Sequence, residues 1–111
     1  MGVNDTDIGA GFSVVSGTLK IELYVGKEAG PQHWAIVLGD RSDTDVQTAW
    51  NDLLDAAANA TDVAGFSDDA EEIIDTLLGA TDAAKFAALP TSVRTGHWQV
   101  FQAYKAEGWT L

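Results

Sequence analysis

From Leu19 to Val25 apolar and polar positions alternate strictly. Leu19, Ile21, Leu23 and Val25 fall on one face, and Lys20, Glu22 and Tyr24 on the other. Period two predicts a half-buried strand. "QHWAIVL" (32–38) repeats the pattern, with Trp34, Ile36 and Leu38 opposite His33, Ala35 and Val37. A shorter β-prone run, "FSVVS", covers 12–16. Glycine and proline in "GKEAGP" (26–31) mark a loop, and Gly39-Asp40 closes the last strand. The two long strands pair most simply antiparallel across 27–31, with the first run on one edge.

After Asp40 the period lengthens. Val46, Trp50, Leu53, Ala57 and Ala60 recur at helical spacing, while Asp45, Asp52, Asp55 and Asn59 gather on the opposite side. Asp43 or Thr44 can cap this helix. Gly65 breaks the pattern, and Ser67 or Asp68 is placed to cap a second helix, with Asp68 and Glu71 at capping-box spacing. Its apolar face is Ala70, Ile73, Ile74, Leu77 and Leu78, and Gly79 ends it. Thr81 then caps a short third helix bearing Phe86 and Leu89, stopped by Pro90. The aromatic-rich stretch 96–107 reads as either strand or helix. Helix is preferred, because His97, Trp98, Val100, Phe101 and Tyr104 then fall within about 160° of arc. Thr95 caps it and Gly108 stops it.

Strands followed by helices predict a single α+β domain: an N-terminal three-stranded antiparallel sheet (11–40) covered by three to four helices (43–108). Residues 1–10 read as a flexible acidic arm. At 111 residues the chain is long enough for one core without staples.

Charge changes the picture. The formal net charge is −11, and it is unevenly spread. Residues 1–42 hold five acids and three bases, residues 43–82 eleven acids and no base, and residues 83–111 one acid and three bases. Direct binding to nucleic acid or to an anionic membrane needs Lys and Arg and is not expected. A basic protein surface, further copies of the chain, or a salty solvent remain as partners for this acidity.

The residues that usually do chemistry are sparse. There is no Cys, which rules out disulfides, thiolate metal sites and a cysteine nucleophile. No cofactor or metal is expected: Asp5-x-Asp7 and Asp43-x-Asp45 do not continue into a calcium loop. "GAGFSVVSG" lacks the Lys-Ser/Thr of a phosphate loop, and no Gly-x-Ser-x-Gly appears. "HWAIVLGD" resembles the histidine-bearing strand of the NlpC/P60 and lecithin:retinol acyltransferase-like papain fold. That resemblance spans about eight residues and implies a catalytic role for His33 alone, since the cysteine nucleophile of the family has no counterpart. The two His-Trp pairs, His33-Trp34 and His97-Trp98, fit positions where an amphipathic element meets solvent. An unrecognised hydrolase using His33 and His97 is the third-ranked reading.

The expected function is a non-enzymatic, acidic protein–protein interaction protein. The leading form is an assembly or structural component of a virus or particle from a salt-adapted source, where Asp outnumbers Glu twelve to five and Lys plus Arg total six. The alternative is a small inhibitor that mimics nucleic acid and occupies a basic groove. Candidate contact residues are Asp45, Asp52 and Asp55 on the first helix and Asp68, Asp69, Glu71, Glu72 and Asp75 on the second. The apolar tail adds Trp109 and Leu111. The acidic N-terminus offers no secretion signal, so a cytoplasmic or virion-associated location is expected.

Overall fold

The computed structural model describes the backbone of residues 10–15, 20–25, 34–40 and 42–108, and the side chains of 36–40 and 42–108. The loop 27–31, His33, the tail Trp109–Leu111 and all but Ala10 of the expected acidic arm lie outside these described residues. Strand β3 (Trp34–Asp40) leads into helices α1 (Thr44–Asn59), α2 (Val63–Leu78), α3 (Ala80–Ala87) and α4 (Thr91–Glu107). At the level of the backbone, β1 (Ala10–Val15) and β2 (Lys20–Val25) run antiparallel beside β3 in the order β1-β2-β3.

The expected architecture is corrected by where the core lies. Among residues described with side chains, four helices account for 79%, β3 is the single strand, and there is no sheet. The body is therefore mostly helical, rather than an α+β domain whose three-stranded antiparallel sheet is the layer the helices cover. The helices bury their apolar stripes on one another. Trp50 of α1, Phe66 of α2, Phe86 of α3 and Phe101 of α4 are all at most 1% exposed, and β3 adds Ile36 and Leu38. The rings meet in sequence. Tyr104 lies 5.9 Å from Trp50, Trp50 5.8 Å from Phe101, Phe101 5.9 Å from Phe66, and Phe66 6.4 Å from Phe86. Each such pair contributes about 0.5–1.5 kcal/mol beyond burial alone.

Helix α1 follows its sequence closely. Asp43 is the N-cap, its Oδ1 accepting from the Asp45 amide at 2.8 Å. Its stripe of Val46, Trp50, Leu53 and Ala57 is buried, together with Ala49 and Leu54. Its C-terminal end has no basic residue in the last turn. A half-buried Trp98 from α4 instead donates Nε1–H to the Ala57 carbonyl at 3.0 Å, satisfying one of the carbonyls a helix end leaves open.

Helix α2 departs from expectation. It starts at Val63, not after Gly65, and its cap is Asp62 rather than Ser67 or Asp68. Asp62 Oδ1 accepts from the Gly65 amide at 2.8 Å, and a Cβ on Gly65 would stand 3.2 Å from that oxygen. Gly65 thus admits the cap instead of breaking the helix. The trade favours an early start, because glycine in a helix costs about 1 kcal/mol while burying an aromatic ring stabilises by about 2–3 kcal/mol. Phe66, now in the first turn, is fully buried.

The next two starts are also earlier than expected. Gly79, at φ 106°, both ends α2 and begins α3, so Thr81 is inside the helix and not its cap. Helix α4 begins after Pro90, and Thr95 lies in its second turn, its hydroxyl donating to the Thr91 carbonyl at 2.8 Å. The stretch 96–107 is helical, with His97, Phe101 and Tyr104 buried, and Gly108 ends it in the left-handed region at φ 71°.

Gly39 sets the passage from β3 to α1. Its φ is 134°, and a Cβ there would meet Val46 Cγ2 at 2.7 Å. Backbone strain and a core clash coincide, so Gly39→Ala should lower unfolding free energy by about 2–3 kcal/mol in urea titrations. Gly108→Ala, strained but with nothing within 4 Å, should lose about 1 kcal/mol.

Candidate functional site

Of the eleven acids of 43–82, eight lie on α1 and α2, Asp43 and Asp62 cap those helices, and Asp82 lies on α3. Asp45, Asp52 and Glu72 line one groove between α1 and α2, of about 370 Å³. Thr48 and Thr76 stand beside them, and Ala49, Ile73 and Leu77 supply apolar lining. Asp45 and Asp52 are seven residues apart, nearly two whole turns, which puts them on one side of α1 about 10.5 Å apart along the axis. Asp55 is turned about 80° from Asp45. It points instead to α4, where its carboxylate meets Lys105 Nζ at 2.8 Å. Both partners are about half exposed, so this pair adds little stability.

On α2 the remaining candidates lie outside the groove lining. Asp68, Asp69 and Asp75 are exposed and Glu71 is half-buried. They crowd each other: Asp68–Glu71, Asp69–Glu72, Glu72–Asp75, Asp68–Glu72 and Glu71–Asp75 all stand three or four residues apart. Like charges at such spacing repel by a few tenths of a kcal/mol each. The candidates Trp109 and Leu111 lie outside the described residues. Thr48 and Thr76 carried no sequence signal beyond spacing, Thr48 falling three residues after Asp45 and four before Asp52.

The bases of the C-terminal third are occupied within the chain. Lys105 pairs with Asp55, and Lys85 stands 4.0 Å from Asp82. Arg94 Nε donates to the Leu89 carbonyl at 3.0 Å and its guanidinium also reaches the Thr91 hydroxyl at 3.3 Å.

His97 is not at the solvent edge where its sequence context placed it. It is fully buried, its ring 5.8 Å from Phe86, with Nδ1 3.1 Å from the Val93 carbonyl. That contact makes Nδ1 the protonated nitrogen of the neutral ring. Its place is in the aromatic core, and His33, its suggested catalytic companion, lies outside the described residues. No group of three or more His, Cys, Asp or Glu that could hold a metal ion occurs among the described residues. No helix there is long and apolar enough to cross a membrane.

Comparison with protein-family models, curated proteins and solved structures found no match for this chain.

Burial lowers the pKa of His97 from 6.5 to about 4, the Val93 carbonyl opposing this in part. Between those values the unfolded chain takes up a proton that the fold refuses, so stability rises with pH. The contribution is complete above pH 6.5 and is lost as pH falls toward 4, by about 3 kcal/mol in all. The difference between wild type and His97→Phe, in urea titrations from pH 7 to 4, isolates the imidazole: wild type should lose more stability on acidification than the variant.

Proposed function

We propose that the chain is a non-enzymatic interaction protein that acts through the carboxylate-bearing side of α1 and α2. In its leading form it is a structural component of an assembly, a virus or other particle, from a salt-adapted source. One observation supports this most: core and charge occupy opposite sides of the same two helices. Among the described residues, Asp55 and Asp82 are the two acids of 43–82 with an ion-pair partner. The others face solvent wholly or in part, and the counter-charge must come from outside.

Salt adaptation explains why such a surface is tolerated. At molar salt the Debye length is about 3 Å, shorter than the spacing of neighbouring carboxylates, and self-repulsion fades. The alternative, an inhibitor mimicking nucleic acid, draws on the concentration of acid in one segment beside a net positive C-terminal third. In that case the partner is a basic nucleic-acid-binding groove, and duplex DNA competes for it.

Thermal unfolding against KCl provides the test. Relief of the five crowded pairs on α2 should stabilise by about 1–2 kcal/mol, seen as a steep rise in Tm toward molar salt. A flat response removes the salt-adapted reading. Light scattering over a range of concentrations at high KCl then separates an assembling component, whose mass grows, from a monomeric inhibitor.

A further inference from the structure

The groove between α1 and α2 offers more than charge. Its floor is apolar: Ile73 and Leu77 are half-buried, while Ala70 and Ile74 of the same helix are fully buried. Ile73 and Leu77 pack against the core and also line the groove, so the outer edge of the apolar stripe of α2 opens between carboxylates. From this juxtaposition we propose that the groove seats an amphipathic helix bearing Lys or Arg from a different protein. Its apolar side chains lie on Ile73 and Leu77, and its cations reach Asp45, Asp52 and Glu72. The inference rests on the interaction reading above and gives that partner a chemistry and a register.

Three features choose this occupant. A volume of about 370 Å³ falls at the small end of the roughly 300–1,000 Å³ range of sites that grip a ligand. That is room for a few side chains inserted from a partner. Asp45 and Asp52 lie about 10.5 Å apart along α1, which matches cations at i and i+7 on a helix laid alongside. Residues between those cations, at i+3 and i+4, then face the floor. Charge favours a cationic occupant, because Asp45, Asp52 and Glu72 carry no ion pair among the described residues. Among the described residues a second copy offers less, because its Lys85, Arg94 and Lys105 each have a partner within their own chain.

The probe is a synthetic helix-forming peptide with Lys at i and i+7 and Leu at i+3 and i+4. A scrambled peptide of the same composition is the control, and binding is read by fluorescence anisotropy at low and high KCl. The patterned peptide should bind at least tenfold more tightly than the scramble, and should keep part of that preference when salt screens the carboxylates. Thr76→Trp fills the groove without changing charge and should abolish the preference. Asp52→Lys should weaken the patterned peptide at least tenfold. The double variant Asp68→Lys/Asp69→Lys, off the groove, should leave the preference within about threefold. Circular dichroism confirms that each variant is folded.

Equal binding of both peptides, or an unchanged preference in Thr76→Trp, overturns the groove. If off-groove and groove charges then matter equally, the acidic-surface reading survives without it. If neither matters, both fall. Concentration-dependent dimers that dissolve in Thr76→Trp would assign the groove to a second copy and also overturn the proposal.

Discussion

The chain of rings running through the helices is the contact on which the rest depends. Tyr104, Trp50, Phe101, Phe66 and Phe86 touch in succession, and His97 closes the far end against Phe86. Every helix contributes at least one member. The large side chains are fully or almost fully buried, each stabilising by about 2–3 kcal/mol through burial alone. A ring shared between two helices is desolvated on both faces, and among the residues whose side chains are described β3 adds Ile36 and Leu38 of comparable burial.

The same arrangement frees the outside of α1 and α2. With one side of each helix locked inward, the opposite side can carry repelling carboxylates at a cost of a few tenths of a kcal/mol per pair. The core outweighs that several-fold. Neither helix relies on basic residues at its C-terminal end. For α1 a tryptophan from α4 supplies a donor instead, so packing does the work that charge does in many surface helices.

How much of this was legible varied with how local the deciding physics is. Helix α1 could be read almost whole, cap and stripe together, because its signals lie within a few residues of each other. The helical choice for 96–107 was also readable, since one arc collects all its large side chains. The start of α2 was not, because a glycine at that point looks like a break. Whether Gly65 ends a helix or receives a cap depends on where Phe66 is buried, which is a tertiary fact. Thr81 and Thr95 misled in the same way, being good capping residues inside helices that begin earlier. The fold class failed for a related reason. Alternation in β3 says that one face is buried but not what share of the core it provides. Of the candidate site, the acidic side was evident, while the groove required knowing how α1 and α2 sit together. Asp45 and Asp52 share it, and Asp55, one turn beyond Asp52, belongs to another surface.

Helix α3 has only eight residues, joined to α2 through a single glycine at φ 106°. Helices that short do not persist in water unaided. It is held chiefly by Phe86, whose ring stands against Phe66 on one side and His97 on the other. Its lifetime in place is therefore borrowed from its neighbours. The ring of Phe86 that holds α3 in place is also the one that covers one side of the interior imidazole. Among the described residues, the most buried titratable ring is thus covered by the shortest helix.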